Sequence, residues 1–169
     1  MMSTTRQAKG FTLIELVVVI AILAILAAFA LPRFASLSEQ AHESSIQGTA
    51  GALSAGVALA KAQWVTNGST AATTNVAGFG NDDVDVSDDG WPTGSTADNT
   101  NPNMNAGRCQ QVWQGLLQAN APTVSTTADA EDYQVTVNGG NCRYIYQPDE
   151  EDSFIEYDAD TGEITTTIN

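Results

Sequence analysis

The chain has 169 residues, of which 6 are lysine or arginine and 20 are aspartate or glutamate, for a net charge of −14. This length allows one globular domain. An acidic surface repels phosphate groups, so direct binding of nucleic acid is not expected. The sequence also holds no nucleophile–base pair, no phosphate-binding glycine loop and no zinc-ligand spacing, so we predict that the protein is not an enzyme.

A polar, basic leader at the amino terminus ends at Gly10, and an apolar run extends from Phe11 to Leu31. As a helix with a rise of about 1.5 Å per residue, this run is long enough to cross a bilayer core of about 30 Å. Only Thr12 and Glu15 within it are not apolar. Because a carboxylate is costly in lipid, we expect Glu15 to have a partner.

Two simpler interpretations of the apolar run fit less well. It is too long for the h-region of a secretory signal peptide, and no Ala-x-Ala cleavage site stands out. A single-pass anchor accounts for the length but leaves Glu15 and the junction of Gly10 with Phe11 unexplained. Arg6 and Lys9 precede the run, which predicts a cytoplasmic leader and export of the residues that follow.

The segment Gly10-Phe11-Thr12-Leu13-Ile14-Glu15 resembles the class III signal of type IV pilins and of type II secretion pseudopilins. The resemblance implies that a prepilin peptidase cuts between Gly10 and Phe11, and that the new amino group of Phe11 is methylated. It also implies that Glu15 pairs with the Phe11 amine of a neighbouring subunit during assembly, since two buried opposite charges satisfy each other.

The helical pattern continues beyond the apolar run. We predict a kink at Pro32, which removes one backbone donor and stands where the pilin family commonly has a proline. The pattern beyond it is amphipathic, and Asn67-Gly68 supplies a C-cap signal that ends the helix near 65–67. Three glycines in this half are interpreted as the place where the sheet packs closely on the helix. These glycines are Gly48, Gly51 and Gly56. His42 is interpreted as a surface residue of the helix.

The region from Ser69 to Asn105 is rich in Thr, Asn, Gly, Asp and Ala, which predicts a long surface region with few regular elements. Its place resembles that of the variable loop of pilins. Its segment Gly90-Trp91-Pro92-Thr93-Gly94 is similar to a turn in pilins related to the mannose-sensitive haemagglutinin pilus. A short helix is predicted from Cys109 to Ala119. Four strands in hairpins follow, at 133–137, 142–146, 153–157 and 163–168.

These elements predict an α+β, pilin-like fold, in which a long amino-terminal helix packs on a carboxy-terminal antiparallel sheet of about four strands. The two cysteines, Cys109 and Cys142, are expected to form one structural disulfide in an oxidising periplasm. The predicted organisation is a cleaved leader at 1–10, a transmembrane and polymerisation helix at 11–32, an amphipathic half at 33–66, and a globular part outside the inner membrane at 67–169.

Two acidic clusters are candidate calcium sites, because this cation prefers six to eight oxygen ligands. The first lacks the bidentate glutamate of an EF-hand, and we favour a solvated loop. The second, formed by Asp158, Asp160 and Glu163, is too short and fits an Asx-type hairpin turn. No cofactor is therefore assigned, and calcium stays only a candidate for the first cluster. That cluster consists of Asp82, Asp83, Asp85, Asp88 and Asp89.

The three tryptophans, Trp64, Trp91 and Trp113, are candidates for a sugar-binding set, because aromatic rings stack on the faces of carbohydrates. Anchoring of the core or of a turn is the preferred interpretation for each of them. An adhesive property is therefore assigned to no individual residue.

The predicted function is that of a structural subunit of a type IV pilus. The precursor would insert in the inner membrane, be cut by prepilin peptidase, and polymerise through the inner-membrane assembly machinery into an extracellular helical homopolymer. The fibre would serve adhesion or surface attachment, with motility as a further role. The alternatives are a type II secretion pseudopilin, which forms a short periplasmic piston, and a monomeric membrane-anchored periplasmic binding domain that is not cut at Gly10.

Overall fold

The computed structural model describes residues 10–96, 99–127 and 132–169. The chain divides into two compact units, Met1–Gln40 and Ala41–Asn169. We call the second of these the head unit. The leader residues before Gly10 lie outside the described residues, so the leader boundary stays a prediction.

One helix, α1, runs from Leu13 to Thr66. Alanine, leucine and other residues of high helix propensity dominate its sequence. A Schellman motif closes its carboxyl end, where the Ser69 N–H donates to the Trp64 carbonyl (3.3 Å) and the Gly68 N–H donates to the Val65 carbonyl (2.9 Å). Gly68 has a φ of 73°, a left-handed conformation that glycine adopts without strain. The predicted end of the helix is confirmed.

Beyond α1, the described part of the head unit contains seven strands and one further helix: β1 (Val84–Val86), β2 (Pro92–Ser95), α2 (Ala106–Leu116), β3 (Val124–Ser125), β4 (Tyr133–Asn138), β5 (Asn141–Tyr146), β6 (Phe154–Tyr157) and β7 (Ile164–Thr167). The main sheet has the order β3-β4-β5-β6-β7, and all neighbours are antiparallel except β3 and β4. The four antiparallel strands confirm the prediction. The parallel edge strand β3 was not predicted, because two residues carry no readable pattern.

The main core lies where the head-unit part of α1 and helix α2 meet one face of this sheet. Burial alternates along β5 and β6, as expected for strands with one covered face. Ile46, Leu53 and Val57 of α1 are buried in the same cluster as Trp113 of α2 and Tyr144 of β5. The α+β fold with a long helix on a carboxy-terminal sheet is therefore confirmed.

A second, two-stranded sheet lies in the region that was predicted to be mainly surface. Strands β1 and β2 pair antiparallel, and every residue of both strands is buried. Val84 and Val86 pack with Trp64 and Val76 in a separate small core. The prediction of a long surface region is wrong for this part of the chain, because strands of three or four residues with Asp, Pro and Gly lack the alternation by which strands are recognised.

Helix α2 begins three residues before the predicted start, Cys109, and ends three residues before the predicted end, Ala119. Its N-cap is Asn105, whose side-chain oxygen accepts a hydrogen bond from the backbone N–H of Arg108 at 3.0 Å. Leu117 is already extended. The apolar face of the helix was therefore recognised, whereas the capping asparagine that sets its start was not.

His42, which was interpreted as a surface residue, is half-buried and contacts Tyr146. Its Nδ1 lies 3.2 Å from the hydroxyl oxygen of Tyr146, and its ring meets the Tyr146 ring edge-on at a centroid distance of 5.7 Å. Residues 42 and 146 are far apart in sequence, and only the tertiary fold brings this turn of α1 to the end of β5.

Three buried tyrosines predict a loss of stability in alkali. Burial raises the pKa of Tyr133 to about 12, and it also raises the pKa values of Tyr144 and Tyr157. The unfolded chain ionises its tyrosines near pH 10. The stabilising contribution of the three groups is therefore complete below about pH 10 and falls as the pH rises through the folded pKa values.

We expect tyrosinate absorbance to rise together with the loss of near-ultraviolet circular dichroism when the full chain in detergent is titrated above pH 10. A simple titration of all four tyrosines near pH 10, with the fold retained, would contradict this.

Candidate functional site

Gly10 and Phe11 precede the first turn of α1 and are exposed. The Phe11 side chain is 92% exposed. Apart from its chain neighbours, no atom lies within 4 Å of the position that a Cβ on Gly10 would occupy. The peptide bond between these residues is therefore in accessible, non-helical backbone, as a protease substrate requires.

Glu15 closes the amino-terminal end of α1 through a capping box with Thr12. Its Oε2 accepts hydrogen bonds from the Thr12 backbone N–H at 2.8 Å and from the Thr12 hydroxyl at 2.7 Å. The Glu15 N–H donates to the Thr12 hydroxyl oxygen at 3.3 Å. The reciprocal pattern satisfies backbone donors that the first turn leaves unpaired.

This local role of Glu15 was not predicted, although Thr-x-x-Glu before an apolar run is the sequence signal of a capping box. The expected partner of the carboxylate was an amine on another chain. Within the single chain, Thr12 occupies Oε2, while Oε1 accepts no hydrogen bond from the described residues. The cap and a second, intermolecular partner are therefore compatible.

Among the described residues, none covers the apolar part of α1. It contains a helical stretch long and apolar enough to cross a membrane, and none of that stretch is buried. Side chains around the whole circumference are exposed, Val17, Val18 and Val19 among them. Such a surface needs lipid or other protein around it.

Pro32 lies inside α1, and the helix continues on both sides of it. The residue cannot donate the backbone hydrogen bond that the preceding turn would accept. A kink at this position stays a prediction.

Asp85, one of the five candidate calcium ligands, belongs to the interior of the head unit. It is fully buried, and its two carboxylate oxygens accept hydrogen bonds from the N–H groups of Asn75 and Asn99, both at 3.0 Å. Arg108 is close enough to interact electrostatically with it. Burial lowers the pKa of the Arg108 guanidinium, and Asp85 opposes this shift.

The Arg108 side chain donates to four backbone carbonyls, one in β2 and three in residues 99–103. Its Nε donates to Thr93 at 3.0 Å, its Nη1 to Asn103 at 3.2 Å, and its Nη2 to Asn99 at 3.2 Å and also to Asn101. A planar guanidinium can satisfy this many acceptors at fixed angles. Arg108 and Asp85 therefore organise the segment between β2 and α2.

The remaining acids of the first cluster do not converge with Asp85. The Asp82 carboxylate accepts from the Gly78 N–H at 2.5 Å, and Asp88 and Asp89 are exposed. Among the described residues, no group of three His, Cys, Asp or Glu side chains could hold a metal ion.

The second acidic cluster forms the Asx turn that was preferred for it. Asp158 Oδ1 accepts from the N–H of Asp160 at 2.8 Å and from that of Thr161 at 3.4 Å. The Gly162 N–H donates to the Asp158 carbonyl at 2.8 Å. The carboxylate thus shapes the hairpin between β6 and β7.

The predicted disulfide is confirmed. Cys109 of α2 and Cys142 of β5 are bonded, with 5.4 Å between their Cα atoms, and both are fully buried. The Tyr144 hydroxyl donates to the Cys109 carbonyl at 2.9 Å. The covalent link and this hydrogen bond fix α2 on the central strand of the sheet.

The three tryptophans occupy separate structural positions and do not form one binding surface. Trp64 is buried and its Nε1 donates to the Ala71 carbonyl, while the buried Trp113 donates to the Pro122 carbonyl. Trp91 lies beneath the Lys61 ammonium, which is 3.4 Å from the ring centroid. Core and turn anchoring is confirmed as the role of these rings.

Comparison with known proteins gives a match to one family and to one curated protein, each over part of the chain. The family described as the prokaryotic N-terminal methylation motif matches residues 5–31. The type IV narrow pilus major component PilA5 of Thermus thermophilus is 49% identical over 57 residues, which are 34% of this chain and 49% of that protein. The chain thus matches about half the length of this curated relative. No solved structure matches it.

Residues 5–31 therefore match the methylation motif of a class III signal peptide. Part of the chain is similar to a type IV pilus subunit, the Thermus protein, and the α+β fold with a long amino-terminal helix is pilin-like. The apolar amino-terminal helix is consistent with a membrane-anchored precursor that later enters a pilus fibre.

Proposed function

We propose that this protein is a structural subunit of a type IV pilus, which polymerises from the inner membrane into an extracellular fibre for surface attachment. The observation that carries the proposal is an uncovered apolar helix that begins with an exposed Gly10–Phe11 bond and the Glu15 carboxylate. A filament core would cover this helix with identical helices. The hydrophobic effect would then stabilise the polymer in proportion to the buried area.

Processing would prepare the chain for assembly. Prepilin peptidase would cut after Gly10, remove Arg6 and Lys9 with the leader, and take the net charge from −14 to −16. The Phe11 amine of one subunit would pair with Glu15 of the next, and Oε1 offers it an acceptor while Oε2 keeps the cap. A pair of this kind sets axial register, because removal of one member leaves the other charge buried alone.

The proposed processing is tested by intact mass and amino-terminal sequencing of material sheared from the cell surface. We expect filaments whose subunit begins at N-methyl-Phe11 and is lighter by two hydrogens for the disulfide between Cys109 and Cys142. The same amino terminus confined to the inner membrane would indicate a pseudopilin. An uncut chain would indicate a monomeric membrane-anchored domain.

The role of Glu15 in assembly is separated from its role in capping by two substitutions. Glu15→Gln keeps an acceptor for the Thr12 N–H and removes the charge, whereas Glu15→Ala removes both. We expect both variants to insert in the membrane and to yield few or no filaments, because an uncompensated buried amine costs about 3–5 kcal/mol. Sheared filaments and membrane-bound precursor are measured by immunoblot in the same cells.

Thr12→Ala is the matched control, because it removes the hydroxyl half of the capping box and keeps the carboxylate. We expect this variant to retain filaments. Normal filament yield in Glu15→Gln with loss in Thr12→Ala would assign Glu15 to capping and reject the register role.

A further inference from the structure

Strand β7 forms one edge of the main sheet. In the described part of the chain, only β6 pairs with it. From Ile164 to Asn169 the sequence has no proline and no charged side chain, and the pairing with β6 keeps one register without a bulge. Charges, proline and bulges are the features that usually protect an edge strand. The free edge of β7 is therefore a surface on which another strand can pair.

The backbone groups that face away from β6 belong to alternate residues of β7. The Asp158 N–H donates to the Glu163 carbonyl at 3.0 Å, in the same register as the pairing of β6 with β7. Because hydrogen-bonded pairs alternate along an antiparallel ladder, the N–H and carbonyl groups of Ile164 and Thr166 point away from β6. Ile168 is the next residue in this alternation.

The predicted close packing of the sheet on three glycines of α1 is wrong. A Cβ on Gly56 would meet the Cβ and the carbonyl oxygen of Leu116, both at 3.1 Å, so α2 approaches this glycine. A Cβ on Gly48 or Gly51 would meet nothing within 4 Å. Glycine weakens a helix, and the sheet does not explain it at these two positions.

The edge of β7 opens onto an uncharged space beside α1. Ile164 and Thr166 line a cavity of about 280 Å³ together with Gln47, Gly51 and Ser54 of the helix. No lysine, arginine, aspartate or glutamate lines it. The missing side chain at position 51 leaves room beyond the last strand of the sheet. Uncharged side chains of a further strand would fit into this space.

We propose that the β7 edges of two copies of the chain pair antiparallel, with Thr166 of each copy opposite Thr166 of the other. This register places Ile164 opposite Ile168 of the second copy, so every outward N–H and carbonyl group meets a partner. Threonine and isoleucine also favour extended backbone. The chain has a net charge of −14, so acidic surfaces of two copies repel each other, whereas two uncharged edges approach without that cost.

The proposed contact joins subunits of separate fibres. It is isologous, because both copies use the same surface, and it closes after two copies. Such a contact cannot extend a helical polymer, in which each interface must leave a free surface for the next subunit. It links one fibre to another and leads to their lateral association. This inference rests on the proposed function, since only a fibre presents many copies of the edge along its length.

The pairing and its register are tested by disulfide trapping between two preparations of sheared fibres. Thr165→Cys and Thr167→Cys each place a thiol at an exposed position of β7. In the proposed register, position 165 of one copy lies opposite position 167 of the other, with Cα atoms about 4.5 Å apart, within the range of a disulfide. Two cysteines at the same position are diagonal neighbours, about 7–8 Å apart, which is too far.

We expect a covalent dimer when the two preparations are mixed under oxidising conditions, and none when either preparation is oxidised alone. Because the fibres are mixed after assembly, such a dimer comes from a contact between fibres. No dimer in the mixture, equal dimer in the separate preparations, or disulfides only to other proteins would overturn the proposal. If the unsubstituted chain forms no filaments, the proposed function fails; if filaments form and the mixture gives no dimer, only this inference fails.

Removal of one outward donor tests the contact without a thiol. Thr166→Pro removes an N–H that β6 does not use, so the sheet keeps its own ladder. Each pair of copies loses two hydrogen bonds, and lateral association should weaken at least about tenfold. Low-speed sedimentation of sheared fibres measures this, with Thr166→Val as the matched control that keeps the N–H. Formation of the disulfide between Cys109 and Cys142 shows that both variants fold, and equal sedimentation of their fibres would overturn the proposal.

Discussion

Replacement of Arg108 by methionine is expected to destabilise the head unit by about 3–5 kcal/mol. The side chain is buried, donates to four backbone carbonyls and lies near the fully buried Asp85. Methionine fills much of the same volume but leaves these carbonyls without their donor and Asp85 without its cation. The guanidinium chloride midpoint of the full chain in detergent, followed by circular dichroism, measures the change.

Arg143→Met provides a matched control for Arg108→Met. Arg143 pairs with Glu156 at 2.8 Å, but the two side chains retain 30% and 19% of their exposure. A pair that remains in contact with water contributes about 1 kcal/mol or less. Equal midpoints for the two variants would show that the Arg108 network does not hold the segment between β2 and α2.

Loss of the disulfide is expected to destabilise the head unit by about 3–4 kcal/mol, according to the chain-entropy model for a loop of this size. Cys109 and Cys142 are 33 residues apart, and the bond joins α2 to β5. Without it, the unfolded chain gains conformational freedom while the folded state loses a covalent attachment. Comparison of the oxidised chain with Cys109→Ala/Cys142→Ala by denaturant unfolding measures the effect.

The reduced, unsubstituted chain separates the cross-link from side-chain packing. Both sulfur atoms are buried, so the alanine variant also loses packing that the reduced protein keeps. We expect the reduced chain to unfold at an intermediate denaturant concentration, closer to the double variant. If reduction leaves the midpoint unchanged, the bond does not stabilise the fold.

Local sequence patterns were sufficient for the long helix, the signal segment and the four antiparallel strands of the main sheet. The end of α1 follows from Gly68, because a left-handed residue closes a helix at its own position. The hairpin from Asn138 to Asn141 and the alternation on both sides of it need only neighbours in sequence. The capping role of Glu15 could also be predicted locally, because Thr-x-x-Glu before an apolar run is the sequence signal of a capping box.

Contacts between distant residues required the tertiary structure. Asp85 resembled a calcium ligand in sequence because its acidic neighbours are adjacent in the chain, whereas its partners come from positions 75, 99 and 108. Strands β1 and β2 are too short to show a period, and the core that buries them forms only when Trp64 and Val76 meet. The different surroundings of Gly51 and Gly56 depend on where α2 ends against α1. A periodic pattern identifies an element and its apolar face, but what covers that face depends on packing over long sequence separations.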